Sequence, residues 1–119
     1  MKTLIKILLV FILFSACEKE DTPINLSGVW SASDPNYKID ISLFQSGPVI
    51  NGTGKMECYF TDTLYYDIIV AGNYFHPGIT FTLFTKKGEF IGRYDGHIWD
   101  NKTIQGKWKG AVNLIFQRQ

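Results

Sequence analysis

From residue 26 onward, apolar and polar side chains alternate in short runs that are separated by turn-forming residues. A period of two places successive side chains on opposite faces of a β-strand, and it does not fit the period of a helix. Aromatic and β-branched residues are dense in these runs, as is typical of strands. The alternation therefore predicts eight strands, at about 26–32, 37–45, 49–60, 64–74, 79–86, 89–99, 103–109 and 111–117.

The connections between the predicted strands are short and rich in Gly, Pro, Asp and Asn, which are the residues that turns prefer. Every proline falls between runs and none falls within one. Neighbouring strands must then be antiparallel, because a parallel crossover needs about a dozen residues or more. We expect an all-β fold, an eight-stranded antiparallel up-and-down β-barrel or closely related β-meander, formed as one domain by residues 26–119.

One face of every predicted strand is apolar and carries glycine, and the other face is polar. The apolar set is Leu26, Gly28, Trp30, Ile39, Ile41, Leu43, Ile50, Gly52, Gly54, Met56, Cys58, Leu64, Tyr66, Ile68, Val70, Gly72, Tyr74, Ile79, Phe81, Leu83, Phe90, Gly92, Tyr94, Gly96, Ile98, Ile104, Gly106, Trp108, Val112, Leu114 and Phe116. A barrel that spans a membrane has the reverse arrangement, so the pattern predicts a water-soluble barrel with an apolar interior. If Ile98 opposes Ile104, then Tyr94 faces Trp108 inside and Asp95 faces Lys107 outside, and both are favourable cross-strand pairs.

Glycine recurs on the inward face, two positions after an apolar residue, at Gly52, Gly72, Gly92 and Gly106. Inward glycines relieve crowding where a curled sheet bends, and small barrels alternate small and large interior residues. Closure into a barrel also removes the exposed edges that an open meander would have.

The first sixteen residues have the order of a secretory signal. Lys2 and Lys6 form a basic start, an apolar run covers residues 7–14, and Ser15 and Ala16 are the small residues that a peptidase requires. The apolar run is shorter than the ~20 residues that a spanning helix needs. Residues 1–16 are therefore predicted to be a signal-peptide helix.

Cys17 follows this segment directly, and Phe14-Ser15-Ala16-Cys17 resembles the lipobox of bacterial lipoproteins. The resemblance implies that the Cys17 sulfur carries a diacylglyceryl group, so that the membrane is a partner and the outer membrane the expected location. The alternative is an ordinary secretory signal with an unrelated cysteine. Glu18-Lys19-Glu20-Asp21 resembles the acidic stretch of surface-exposed lipoproteins in Bacteroidetes-type bacteria, which leaves the periplasmic and cell-surface faces both open. We assign residues 17–25 to the lipidated cysteine and a charged, flexible tether.

Charge and cysteine content limit the function classes. Removal of the signal segment takes Lys2 and Lys6 from a chain of formal charge +1, which leaves the mature chain near neutrality. A near-neutral domain has no electrostatic basis for nucleic-acid binding. With Cys17 lipidated, Cys58 is the remaining cysteine and is interpreted as a small buried apolar residue without a disulfide partner.

Leu26-Ser27-Gly28-Val29-Trp30 opens the predicted barrel, and Gly-x-Trp in a first strand resembles the lipocalin and wider calycin group. In lipocalins this tryptophan packs under an arginine near the end of the last strand. The resemblance implies that Arg118 covers Trp30 in a barrel-closing cation–π contact, which would contribute ~0.5–2 kcal/mol. In character the chain is most similar to small lipocalin-like lipoproteins of Bacteroidetes-type bacteria, a group mostly without assigned function.

The sequence carries no pattern typical of catalysis. His76 lies in a turn and His97 on the polar face, no ligand pair has metal-binding spacing, and nothing groups a nucleophile with a base. The carboxylates are spread over the outer face and the turns. We therefore predict neither an enzyme nor a metal site, and no cofactor.

The interior offers the remaining candidate site. Trp30, Tyr66, Tyr74, Tyr94 and Trp108 could line an apolar pocket, with the tyrosine hydroxyls orienting a guest. Eight-stranded barrels are just wide enough to be filled by side chains or to hold one small ligand. A filled interior is favoured over a hollow one.

Two function classes stay open. In the first, the barrel binds a small apolar or amphipathic ligand, which is slightly favoured. In the second, it is a protein-interaction module or an inhibitor that acts through its loops, like some β-barrel inhibitors of lysozyme and proteases. An exposed aromatic patch would favour the second class, and Tyr59, Tyr65 and Phe84 would form it if they cluster.

Overall fold

The structure, a computed structural model, describes residues 23–119. In this range the chain forms eight strands: β1 (Gly28–Ser33), β2 (Tyr37–Ser46), β3 (Val49–Tyr59), β4 (Thr63–Phe75), β5 (Gly78–Thr85), β6 (Phe90–Asp100), β7 (Thr103–Trp108) and β8 (Val112–Arg118). The all-β prediction is confirmed, and each strand begins and ends within two residues of its expected place. The predicted signal segment and Cys17 lie outside the described residues.

The strands close into an up-and-down barrel, because each pairs antiparallel with the next and β8 pairs with β1. The β1–β8 seam is the shortest ladder, with the pairs Trp30–Arg118 and Ser31–Gln117. The Gln119 N–H adds a hydrogen bond to the carbonyl of Val29 at 2.8 Å. Every other ladder has six or more residue pairs, so the seam is where the barrel has the fewest backbone contacts.

The connections divide between two ends of the barrel. The tether end, where the chain enters β1, carries residues 23–27 and the turns 46–49, 75–78 and 100–103. The distal end carries the turns 33–37, 59–63, 85–90 and 108–112. Between residues 23 and 119 no helix is long and apolar enough to cross a membrane.

Local turn chemistry explains several of the reversals. The Asp34 carboxylate accepts the backbone N–H of Asn36 and of Tyr37, both at 2.8 Å. An Asp side chain that binds the backbone two residues on in this way stabilises a turn. Gly47 has a φ of 58°, in the left-handed region that glycine enters without a steric penalty.

The apolar face points inward and forms the core, as the alternation predicts. The predicted inward orientation is wrong for two residues, because the Leu64 side chain is 49% exposed and the Phe90 side chain is 67% exposed. Leu64 lies where β4 extends beyond β5 at the distal end, so no β5 side chain covers it. A register shift between β5 and β6 places Phe90 opposite the outward residue Phe84, and its ring turns out of the barrel.

Ile98 opposes Ile104 in the structure, and the two pairs expected from that register, Tyr94 with Trp108 and Asp95 with Lys107, are confirmed. The inward glycines do not leave empty space in the barrel, because neighbouring atoms lie where their side chains would be. A Cβ on Gly72 would lie 2.1 Å from the carbonyl oxygen of Thr80, and a Cβ on Gly92 would lie 2.7 Å from the Trp108 ring. The room at Gly92 is therefore filled by Trp108.

Candidate functional surfaces

The tether end is closed by a clasp between the first and last strands. The Arg118 guanidinium carbon lies 4.5 Å from the centroid of the Trp30 ring. Its N–H groups donate to the carbonyls of Asn25 (2.6 Å), Ser27 (3.1 Å) and Asn101 (2.8 Å). Burial lowers the pKa of Arg118. Because Trp30 also donates from Nε1 to the Leu26 carbonyl at 2.9 Å, this clasp binds the entering segment to the seam.

Tyr74 also lies at the tether end. Its hydroxyl accepts the Ile24 N–H at 3.0 Å and lies 2.5 Å from Nδ1 of His76. Gln45 accepts the Leu26 N–H at 2.7 Å, so the chain leaves the barrel at this end along a defined path. The Tyr74 hydroxyl is thus used in holding the entering segment.

Tyr94 lies midway along the barrel, inside an aromatic cluster. Its ring stacks on Phe81 at 5.0 Å and meets Phe116 edge-on at 4.9 Å. The hydroxyl donates to the carbonyl of Leu114 at 2.7 Å. Burial raises the pKa of Tyr94 well above the usual phenol value. The tyrosine is therefore a satisfied core residue, and its neighbours fill the centre of the barrel.

Trp108 lies in the distal half of the barrel and is fully buried. Its ring contacts Tyr37 across the interior at 6.1 Å, and the Lys109 amino group lies 5.7 Å from its centroid. Nε1 of Trp108 has no acceptor among the described residues. Cys58 is buried nearby, and desolvation raises the pKa of its thiol against the opposing effect of Lys109. Tyr66 is only half-buried.

The five predicted pocket residues therefore do not line one pocket. Trp30 and Tyr74 belong to the tether end, Tyr94 to the centre, and Tyr66 and Trp108 to the distal half. Four depressions formed by residues between 23 and 119 lie on the outside of the barrel or at its tether end. The alternation predicted which face each residue occupies, but it carried no information about height along the barrel axis.

The distal part of β4 has an open edge. The Tyr74 N–H donates to the Pro48 carbonyl at 2.8 Å, which fixes even-numbered residues of β4 as those bonded to β3. The β3–β4 register stays constant to its last pair, Tyr59 with Thr63. Residues Thr63, Tyr65 and Asp67 therefore direct their N–H and C=O groups away from β3, toward the β5 side.

Among the described residues, no strand pairs with the backbone groups of Thr63 and Tyr65. Pairing between β4 and β5 begins at Ile68 and Thr85, a pair whose ladder bonds run through the flanking residues, so Asp67 is the closed end of this edge. The exposed Lys86 amino group lies 3.7 Å from the Asp67 carboxylate at one end of this edge. We call residues 63–67 the open β4 edge.

Exposed aromatic residues surround the open β4 edge. Tyr65 and Phe60 are strongly exposed, and Phe60 packs edge-on against Tyr37 at 5.4 Å. Tyr59 lies diagonal to Tyr65 and donates to the Glu57 carboxylate, which raises the pKa of Tyr59 to about 12. Tyr59 and Tyr65 thus lie close together.

Phe84, the third aromatic residue expected in this patch, does not join it. Its ring pairs with Phe90 at 6.4 Å on the outer face of β5 and β6. Sequence reasoning missed Phe60 and Leu64, since both occupy inward positions by parity. Phe60 is exposed because it lies in the turn after β3, and Leu64 because β4 extends past β5.

Among residues 23–119, no three His, Cys, Asp or Glu side chains lie close enough together to hold a metal ion. No protein-family model matches the chain, and neither a curated protein nor a solved structure matches it significantly. The class that the structure defines is a closed, eight-stranded, up-and-down β-barrel with a well-filled interior.

Proposed function

We propose that this protein is a lipid-anchored module of the bacterial envelope that binds a protein partner by accepting an extended segment along the open β4 edge. One observation carries the proposal. Two residues of the edge, Thr63 and Tyr65, direct backbone groups toward the β5 side, where no neighbouring strand pairs with them. A peptide that adds a strand to such an edge gains affinity from main-chain hydrogen bonds.

The side chains around the edge supply the specificity. Tyr65 lies on the outer face of β4, whereas Leu64 and Tyr66 lie on the other face and are not fully buried. A bound strand would therefore place alternate side chains against apolar surface on both of its faces. Exposed edges are usually protected by charge or proline, and here residues 63–66 carry neither.

The packed interior supports this reading over a ligand cup. Trp30, Tyr94 and Trp108 are fully buried and the aromatic cluster around Tyr94 fills the centre. A molecule of drug size usually needs a cavity of ~300 Å³ or more, which would require displacing several of these rings.

A paired substitution at Tyr65 tests the edge. Tyr65→Pro removes the outward N–H while leaving the β3-facing bonds of its neighbours, and Tyr65→Ala removes the ring but keeps the N–H. A photo-crosslinking residue at position 63, expressed in the producing bacterium, reports the partner, and the same residue at the exposed outer position 115 is the site control.

We expect a discrete crosslinked protein at position 63 and none at position 115. Tyr65→Pro should lower the yield about tenfold, because leaving one acceptor unsatisfied costs ~1–3 kcal/mol, and Tyr65→Ala should lower it less. Equal yields for the two variants would show that backbone pairing plays no part. A crosslink between two copies of this chain would show that the open β4 edge binds a second copy of the chain and not a different protein.

A small ligand is the second candidate, and Nε1 of Trp108 is the observation that favours it. This buried donor has no acceptor among the described residues, and a polar atom of a guest could supply one. Native mass spectrometry of the protein purified from its producing bacterium would decide. A reproducible extra mass lost on denaturation favours the ligand, and a bare mass removes it.

The anchor is tested separately. Lipidation at Cys17 predicts a diacylglyceryl mass on the mature chain and a Cys17→Ser variant that moves into the soluble fraction. Continued membrane association of the variant would contradict the anchor.

A further inference from the structure

Exposed apolar side chains form an arc along the tether end, on the first four strands and on β6. We call Val29, Phe44, Val49, Phe75 and Trp99 the tether-end rim, and all five are strongly exposed. They lie on β1, β2, β3, β4 and β6, within a few residues of the turns at this end. Large apolar side chains gathered in one exposed area, rather than scattered singly, indicate a contact surface.

The strand registers place the rim residues next to one another. Val29 pairs with Ser42, so Phe44 is its diagonal neighbour on the outer face. Val49 in turn is diagonal to Phe44 across the β2–β3 ladder and to Phe75 across the β3–β4 ladder. Diagonal neighbours of this kind are within reach of aromatic side chains.

Trp99 completes the rim. The Ile98 N–H donates to the carbonyl of Pro77 at 2.8 Å, which brings this part of β6 against the turn that follows Phe75. The indole is 59% exposed, so the largest side chain of the rim faces outward beside the turn.

Charge is distributed unequally between the two ends of the barrel. The tether-end turns 46–49 and 75–78 contain no Asp, Glu, Lys or Arg. The third turn carries Asp100 and Lys102, which offset each other, and Arg118 ends β8 beside it. Each distal turn carries at least one charged residue: Asp34, Asp62, Lys86, Lys87, Glu89 and Lys109. The tether end is the end that loses less hydration energy on contact with a lipid surface.

The length of chain before the barrel limits what can cover the rim. This step rests on the proposed lipid anchor at Cys17, from which six residues lead to Pro23. Six residues span at most ~20 Å when fully extended. Because Ile24 and Leu26 are bonded to the barrel at the tether end, this end must lie close to the bilayer that holds the lipid.

We propose that the tether-end rim contacts the membrane surface, with the rings of Phe44, Phe75 and Trp99 at the headgroup level. Tryptophan is enriched in this zone of a bilayer, and phenylalanine is typical of apolar surfaces that bury into the boundary between headgroups and acyl chains. The rim then acts as a further membrane contact beside the two acyl chains of the anchor. It also fixes the orientation of the barrel, with the open β4 edge turned away from the bilayer.

Trp99 is a built-in reporter for this contact. The chain has three tryptophans, and Trp30 and Trp108 are fully buried, so quenching by aqueous iodide or by a brominated lipid reports mainly on Trp99. The protein purified with its native lipid is inserted into vesicles of equal parts phosphatidylethanolamine and phosphatidylglycerol. The Cys17→Ser chain in solution is the unbound reference.

We expect iodide quenching to fall about threefold on the vesicles and brominated lipid to quench the same fluorescence, as for an indole at the headgroup level. The double variant Phe44→Ser, Phe75→Ser should return both values toward the reference. Phe90→Ser, at an equally exposed aromatic position at the distal end, is the matched control and should leave both unchanged.

The outcomes separate the anchor from the rim. A protein that carries the diacylglyceryl mass and floats with the vesicles, but shows full iodide quenching and no quenching by brominated lipid, keeps its anchor and overturns the rim contact. A mature protein without the lipid mass overturns the anchor, and the rim contact with it.

Discussion

Replacing Arg118 tests whether the clasp holds the barrel closed. Arg118→Ala removes the guanidinium that lies 4.5 Å from the Trp30 ring centroid and three hydrogen bonds to carbonyls of the entering segment and the β6–β7 turn. The cation–π contact contributes ~0.5–2 kcal/mol. The bonds contribute less than buried charged bonds would, because two of the three are exposed.

Together these terms predict that Arg118→Ala lowers the free energy of unfolding by about 2–3 kcal/mol. For a domain of this size the melting temperature should fall by roughly 10–20 °C. The Arg118→Lys variant keeps the charge but lacks the planar fork, so it should recover less than half of the loss.

Urea unfolding of the Cys17→Ser chain, followed by tryptophan fluorescence, measures the effect. A double-mutant cycle with Trp30→Phe isolates the ring contact and should give a coupling of ~1 kcal/mol. A loss below ~0.5 kcal/mol for Arg118→Ala, as for an ordinary surface residue, would refute the clasp. An Arg118→Lys variant as stable as the unsubstituted chain would refute the role of the planar guanidinium group.

Three further perturbations test the core. Trp30→Ala should cost ~3–5 kcal/mol, and a loss near zero would contradict its full burial. Gly92→Ala should cost ~1–3 kcal/mol, because the new Cβ meets the Trp108 ring at 2.7 Å. In a Trp108→Phe background, Gly92→Ala should cost less than it does alone. If the stability losses of the two substitutions simply add, the clash between the new Cβ and the Trp108 ring is excluded. Burial raises the pKa of Tyr94 and Cys58, so the folded chain keeps protons that the unfolded chain releases. The urea midpoint should therefore be highest at neutral pH and fall above about pH 9, less steeply in Tyr94→Phe, whereas a flat midpoint to high pH would contradict this.

The alternation of side chains predicted most of the fold, since the inward face and turn chemistry are local properties. The register near Trp108 followed from parity once Ile98 was set opposite Ile104, and it is confirmed. Phe90 escaped prediction because its orientation depends on a register shift that the β5–β6 turn creates. Leu64 escaped because exposure at a strand end depends on how far the neighbouring strand extends.

The candidate surfaces were harder to predict than the strands. The sequence grouped Trp30, Tyr66, Tyr74, Tyr94 and Trp108 as one possible lining, and the structure separates them along the barrel axis. The open β4 edge has no sequence signal of its own, because it results from a difference in length between β4 and β5. Tyr59 and Tyr65 could be placed together, since a hairpin brings residues on either side of its turn into register.

The way the chain enters the barrel also determines how the domain would carry a mechanical load. Tension from an anchor would pull β1 along its own axis, so that its six residue pairs with β2 would be sheared together rather than opened one after another. Arg118 holds the carbonyls of Asn25 and Ser27, which shares the same load with β8. A barrel attached in this way should withstand drag at a cell surface better than one attached at the free end of a hairpin.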